Sequence, residues 1–323
     1  MVSTIYYIQL SYGIPLQIIY TFFTISLFMK LCVWKIKQYD NEFFPFMLVK
    51  SIAENVLLLT SMFFEKFYRL GMFPGIYQKF PFIKVILIFE TNSTYTLLFS
   101  LTLVIAINRY LACSHPVKYK VIFSSEHVKK IIFAMILFAL TINIVLHIVG
   151  PRKKSTNHDN LALEKSTKNL SIIGIIFVIG FYIPLIILSC VFNFLMILRV
   201  RKKDFKKITS KATQSLFYYS IFTLVNFIII LVIIIGKTMD AFLNIFPNEK
   251  LVNHVNSIAF ELGTYGSFIG SLILSSQLRN IFYSKPSKVQ IGEGNGVIKQ
   301  LGAHYRRHSN MTSRVINQSH INT

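Results

Sequence analysis

A few charged and polar side chains interrupt long apolar stretches of this sequence, and they are the residues best placed to do chemistry. Lys50 and Glu54 lie four positions apart, so a helix would present both on one face, where they can form an ion pair. An isolated charge at the centre of a membrane helix costs roughly 2.5–3.5 kcal/mol, which favours pairing. We therefore expect an intramembrane ion pair, and we favour a structural salt bridge over a switch role.

Three further polar residues, Glu90, Asn92 and Glu261, could line a pocket for a small polar ligand. Glu90 precedes Arg109 by about five helical turns, or roughly 28 Å at 1.5 Å per residue. That distance places Glu90 near one mouth of a helix bundle, with Asn92 slightly deeper. The alternative is that Glu90 meets interfacial water, while Asn92 and Glu261 make hydrogen bonds between helices.

The sequence offers no support for an enzyme or for a bound cofactor. Its histidines are dispersed, and none lies in a His-Glu-x-x-His helix. His304 and His308 are four apart, but they lie in a basic polar tail, and we expect no metal there. A phosphate-binding loop and a Gly-x-Ser-x-Gly elbow are both missing from the sequence.

Long apolar segments must position these residues, because 53% of the chain is hydrophobic and only 15% is charged. The mean hydropathy of +0.55 is too high for a soluble domain of this length. We expect an all-α integral membrane protein, a bundle of seven transmembrane helices within residues 1–283, followed by a disordered basic tail at 284–323. The predicted spans are approximately residues 5–29, 43–64, 82–107, 131–149, 170–198, 215–236 and 255–274.

The positions of the basic residues predict the orientation of the bundle. The net charge is +21, and most Lys and Arg residues follow the first, third and fifth spans or lie in the tail. The positive-inside rule then places the N-terminus outside the cell and the tail in the cytoplasm, although Arg152-Lys153-Lys154 argues against this orientation. Distributed in this way, the charge indicates contact with the lipid bilayer and not with nucleic acid.

The outward loop before the fifth span contains a possible modification site. Asn169-Leu170-Ser171 is a glycosylation sequon, so Asn169 is a candidate for glycosylation. Because the sequon lies close to the predicted span, modification there would be hindered.

The most specific local motif is Asn108-Arg109-Tyr110 at the inner end of the third span, followed by Pro116. An arginine at the membrane edge can extend to water, or it can hold a neighbouring helix in a contact that a ligand could bias. Taken alone, the tripeptide is compatible with a helix-end arginine that only follows the positive-inside rule. Its place in the third of seven spans, before a proline and a later basic link, favours a specific role.

These features resemble a G-protein-coupled receptor, and more narrowly the nematode serpentine chemoreceptors of the gamma-type group. The narrower resemblance rests on Tyr12-Gly13-Ile14-Pro15, on Asn108-Arg109-Tyr110 with His115-Pro116, and on the basic link that begins at Arg199, and it covers about Tyr7 to Tyr283. The sequence departs from the rhodopsin-type pattern at Asn108, where that pattern has an acid. It also has no cysteine at the outer end of the third span, and no proline in the sixth or seventh.

The resemblance implies a receptor in the plasma membrane of sensory cells, including their cilia, which detects a small-molecule ligand and couples to a heterotrimeric G protein. The residues implied for coupling and activation are Asn108, Arg109, Tyr110, Pro116, Arg199, Arg201, Lys202 and Lys203. The alternative from a different class is a small transporter or ligand-gated channel, in which Lys50, Glu54, Glu90 and Glu261 would mark a permeation route. An accessory membrane protein that only assembles others is a third possibility.

Overall fold

The computed structural model describes residues 2–36, 43–68, 70–73, 75–149, 176–202, 211–243, 249–274 and 276–283. Over these residues the fold is helical, and seven long helices follow one another along the chain. We number them first to seventh in chain order: Val2–Phe28, Phe44–Thr60, Pro81–Ser114, Ser125–Val149, Ile183–Lys202, Lys211–Leu243 and Glu249–Leu274. We call the end of the bundle where the first helix starts the outer end, and the opposite end, which holds Arg109, the inner end.

Three of the long helices include a π-helical segment at one end. Met29–Val33 prolongs the first helix, Ser61–Phe67 prolongs the second, and Val178–Tyr182 precedes the fifth. Short helices at Ile76–Lys79, Pro116–Ile122 and Ser276–Tyr283 connect or follow the long ones. Because helical turns continue beyond the apolar stretches, several helices are longer than the spans that hydropathy predicts.

The long helices have the lengths and hydropathies of membrane spans. In the part of the chain that is described, the first five, with their π-helical segments, are long and apolar enough to cross a bilayer. The sixth helix contains a shorter apolar stretch, Ser220–Gly236, and the seventh is diluted by Glu261 and small residues. Large apolar side chains such as Ile18 and Phe133 are more than 60% exposed, as lipid-facing residues would be. The expected all-α membrane bundle is therefore confirmed.

The largest apolar cluster fills the inner half of the bundle. Phe23 and Leu27 of the first helix, Phe46 of the second and Leu101 of the third are almost completely buried in it. Ile281 of the short last helix is also 1% exposed, so that helix packs into the bundle by its apolar face. The inner end is thus a closely packed apolar layer.

Small residues let the sixth and seventh helices approach closely. A Cβ atom added at Gly270 would lie 3.0 Å from the Phe222 ring, and one added at Gly263 would lie 3.0 Å from Asn226. Asn226 uses this proximity to donate hydrogen bonds to the Gly263 carbonyl at 3.1 Å and to the Ser267 hydroxyl at 2.9 Å. The glycines therefore serve packing between these two helices.

Candidate functional site

Buried and partly buried polar side chains connect the first, second and seventh helices from the outer end to the middle of the bundle. We call this set the polar seam, and its members are Tyr12, Gln17, Tyr20, Lys50, Glu54, Asn55, Lys66, Glu261 and Tyr265. Since hydrogen bonds and ion pairs of the seam join each of the three helices to the other two, the seam fixes their relative positions.

The outer part of the seam is an ion pair between the second and seventh helices. Lys66 Nζ lies 2.5 Å from Glu261 Oε1, and the two side chains are only 6% and 4% exposed. Glu261 also accepts longer hydrogen bonds from Tyr12 at 3.4 Å and from Ser257 at 3.3 Å. Both charges are removed from water and lipid, so each depends on the other for stabilisation.

The middle of the seam is a chain of neutral hydrogen bonds. The Tyr265 hydroxyl donates to Gln17 Oε1 at 3.0 Å, and Gln17 Nε2 donates to Asn55 Oδ1 at 2.8 Å. Asn55 Oδ1 also accepts from Thr21, and its Nδ2 donates to Thr24 at 2.7 Å. The amide of Asn55 is thus satisfied at both ends by the first helix.

A second ion pair ends the seam towards the inner side. Lys50 Nζ lies 2.5 Å from Glu54 Oε1, with side chains 16% and 8% exposed, and Tyr20 donates a hydrogen bond to the other carboxylate oxygen. This pair lines a cavity of about 10 Å³, room for about one water molecule, together with Ser267 and Ser271 of the seventh helix. The four charges of the seam cancel in pairs.

A separate polar contact joins the third, fourth and fifth helices. Thr96 is fully buried, and its hydroxyl lies 3.0 Å from the Tyr182 hydroxyl and accepts from Asn143 Nδ2 at 3.2 Å. Tyr182 belongs to a π-helical segment, as do Lys66 and Lys30. In each case the widened turn carries a side chain that bonds another helix, in keeping with the frequent functional use of such turns.

The inner end holds the Asn108-Arg109-Tyr110 motif against neighbouring elements. Arg109 is 3% exposed, and its guanidinium carbon lies 5.3 Å from the centre of the Phe43 ring, which precedes the second helix. The Tyr110 ring packs 5.7 Å from the Phe192 ring of the fifth helix. Of the two behaviours open to a membrane-edge arginine, the structure shows contact with a neighbour and not extension to water.

Lys30 ties the short last helix to the first helix. Its ammonium is buried and donates hydrogen bonds to the carbonyls of Asn280 at 2.9 Å and Ile281 at 2.7 Å. These carbonyls lie in the last turn of the helix Ser276–Tyr283, where a cation is favourable. The last helix is therefore held at both its apolar face and its C-terminal end.

The two acidic residues expected at a ligand pocket lie on buried helix faces, whereas Asn92 does not. Glu90 is half-buried and accepts hydrogen bonds from Thr94 at 3.1 Å and Thr91 at 3.4 Å of its own helix. Asn92 is exposed, because residues two positions apart face different sides of a helix. Among the described residues, its backbone carbonyl accepts a hydrogen bond from Thr96. Of the three predicted pocket residues, Glu90 and Glu261 therefore lie on buried helix faces, and Asn92 lies on an exposed one.

A comparison with protein-family models shows which family the sequence belongs to. The sequence matches the family model of the Srg family chemoreceptors over residues 6–282. The chain belongs to the Srg family of chemoreceptors. The resemblance to the gamma-type nematode serpentine receptors is thereby confirmed, and the family is one of chemoreceptors and not of enzymes. No curated protein matches the chain.

The remaining predicted site residues of the chemoreceptor are described only in part. Pro116 begins the short helix Pro116–Ile122 directly after the third helix and is exposed. Arg199 is exposed near the inner end of the fifth helix, and Arg201 and Lys202 lie in its last turn. Lys203 and Asn169 lie outside the described residues.

Sequence reasoning missed the Lys66–Glu261 pair, the more buried of the two ion pairs among the described residues. It assigned Lys66 to the outer loop, because the apolar stretch of the second span ends near Phe64. The available signal was Glu261, an acid in the outer half of a span that requires a cation at matching depth. Tyr12, Gln17 and Asn55 gave no such signal, because neutral polar residues on one helix do not indicate which neighbour they meet.

Proposed function

We propose that this chemoreceptor is G-protein-coupled, that it detects a small-molecule cue near the outer end of the bundle, and that it signals through its inner end. The observation that carries the proposal is Arg109, buried against Phe43 at the inner end of the third helix. A contact of this kind is worth about 0.5–2 kcal/mol, which is small enough for differential ligand binding to break. We place the receptor in the plasma membrane of sensory cells, including their cilia.

In this mechanism the inner end has a gate and a docking surface. Arg109, Asn108 and Tyr110 form the gate, since Tyr110 packs on the fifth helix while Arg109 contacts the start of the second. Release of Arg109 would separate these elements, open the inner surface and free the guanidinium of Arg109 to contact the G protein itself. Pro116 and the basic residues Arg199, Arg201, Lys202 and Lys203 would meet the G protein there.

At the outer end, the cue would act through the carboxylates of Glu261 and Glu90. Glu261 is held by Lys66 of the second helix, so a ligand that competes for either partner would alter the packing of the seventh helix. Glu90 lies at the outer end of the buried face of the third helix, which ends at Arg109 on the inner side. The third helix is therefore a direct connection between the two ends.

The alternative of a transporter or channel requires charges along an open route. Lys50 and Glu54 neutralise each other, and so do Lys66 and Glu261, while the cavity beside the first pair has room for about one water. This pairing supports a structural role over permeation. A ligand-evoked current that persists when G proteins are blocked would favour the transporter.

The proposal is tested by changing Arg109 in cells that report G-protein activation. Arg109→Ala should abolish coupling while surface expression, measured with an N-terminal tag on intact cells, remains at the level of the unmodified receptor. The matched control is Arg279→Ala, because Arg279 is an exposed arginine of the inner end that bonds only carbonyls of the seventh helix among the described residues. Retained signalling in Arg109→Ala would remove the gate assignment.

A further inference from the structure

Gln9 is a buried polar side chain of the first helix that the proposed gate does not use. It is 1% exposed, yet among the described residues its Oε1 and its Nε2 both lack a hydrogen-bond partner. A glutamine amide provides one carbonyl acceptor and two N–H donors. A buried polar group without a partner costs about 1–3 kcal/mol, so an apolar side chain of similar size would be more stable at this position.

The position of Gln9 on the first helix places it at the outer end of the polar seam. Tyr12 and Gly13 follow it by three and four residues, so they lie on the same helix face one turn further in. Tyr12 donates to Glu261, and the Gly13 carbonyl accepts from Tyr265, so this face packs against the seventh helix. The Gln9 amide is therefore one helical turn above the layer that contains the outer ion pair.

The charge balance of the seam indicates what kind of molecule could meet this amide. Lys66 and Glu261 neutralise each other, and so do Lys50 and Glu54. A ligand with a net charge would bring an uncompensated charge into a layer from which water is excluded, at a cost of several kcal/mol. A hydroxyl or an amide group would instead supply the donor and the acceptor that Gln9 lacks.

We propose that Gln9 is a ligand-binding residue, and that with the Lys66–Glu261 pair beneath it, it forms a hydrogen-bonding subsite for the hydroxyl or amide group of a small uncharged molecule. The subsite would lie towards the outer end, on the face of the first helix that packs against the seventh. This inference rests on the proposed function, because it names the chemical class of the cue. It assigns the recognition of the polar group to the first helix.

The test measures binding to purified receptor in lipid nanodiscs, without a G protein. Four probes share one carbon chain and differ in the polar group: hexan-1-ol, hexanamide, hexanoate and hexylamine. Hexan-1-ol and hexanamide should raise the melting temperature at saturation by about 5 °C, and the two ions should not. Gln9→Leu should lower the apparent affinity for both neutral probes by about tenfold or more.

Asn92→Leu is the matched control, because it makes the same change from amide to aliphatic side chain on an exposed helix face. It should leave the response to every probe unchanged. Gln9→Leu should itself fold at least as well as the unmodified receptor, since it removes a buried amide. Its unliganded melting temperature provides the check on folding.

Three results would overturn the subsite. The first is that none of the probes stabilises the receptor, and the second is that only hexanoate or hexylamine does. The third is that Gln9→Leu binds the neutral probes with unchanged affinity, which would mean that water satisfies the Gln9 amide. The failure of the proposed function has a different signature. In that case the neutral probes bind through Gln9, but the nanodisc receptor does not accelerate nucleotide exchange on added G protein.

Discussion

Removal of one member of the Lys66–Glu261 pair should destabilise the bundle more than removal of both. Two unit charges 2.5 Å apart attract by about 7 kcal/mol at an effective dielectric constant of about 20. Much of this attraction offsets the cost of burying the charges, and the loss of one partner of a buried pair typically costs about 3–5 kcal/mol. The hydrogen bonds from Tyr12 and Ser257 to Glu261 are 3.3 Å or longer, too weak to replace the ammonium.

The perturbation is a double-mutant cycle of Lys66→Met, Glu261→Gln and the double variant. Each single change leaves the other charge buried without its partner, so we expect a loss of melting temperature on the order of 10 °C. The double variant leaves no buried charge and should be more stable than either single variant. Lys118→Met, which removes an exposed lysine, is the matched control and should leave the melting temperature unchanged.

The assay is thermal unfolding in nanodiscs, followed by a thiol-reactive dye. The thiols of Cys113 and Cys190 are half-buried, so unfolding exposes them to the dye. A Lys66→Met variant that melts within about 2 °C of the unmodified receptor would refute the reasoning. Strict additivity in the double variant would also refute it, since independent residues have no interaction energy.

Two further predictions concern packing and the inner end. Gly270→Ala should destabilise the receptor by about 1–3 kcal/mol, because the new Cβ would lie 3.0–3.3 Å from atoms of the Phe222 ring. Gly236→Ala is the control. A Cβ there would have no atom within 4 Å, so this change should be neutral or slightly stabilising. Equal melting temperatures for the two variants would contradict the close helix approach. Lys30→Met removes the hydrogen bonds to the Asn280 and Ile281 carbonyls, so amide hydrogen exchange in Ser276–Tyr283 should accelerate while the third helix stays protected. Unchanged exchange in that short helix would show that Lys30 does not hold it.

Local spacing was sufficient to predict contacts within one helix. Lys50 and Glu54 are four residues apart, and any helix through them presents both on one face. The same rule explains the placement of Asn92, which is two residues from Glu90 and so cannot share its face. The sequence-based pocket grouped these two residues by depth alone, and depth does not determine which way a side chain points.

Contacts between different helices could not be predicted from the sequence. The Lys66–Glu261 pair joins residues far apart in the chain, and its formation depends on a π-helical segment that prolongs the second helix past its apolar stretch. Tyr20 lies in an apolar segment whose pattern does not indicate a polar partner, yet it donates a hydrogen bond to the Glu54 carboxylate. Hydropathy predicts where helices lie in the membrane, but the rotation of each helix follows from packing against its neighbours.

We expect the Arg109 end of this chemoreceptor to face the cytoplasm, where a G protein can reach it. Epitope tags before Met1 and after Thr323, scored in intact and in permeabilised cells, test the claim most directly. We predict that the N-terminal tag is accessible in intact cells and that the C-terminal tag is accessible only after permeabilisation. Both tags on one side would mean an even number of spans and would favour the transporter, and an inverted pattern would place Arg109 on the wrong face of the membrane.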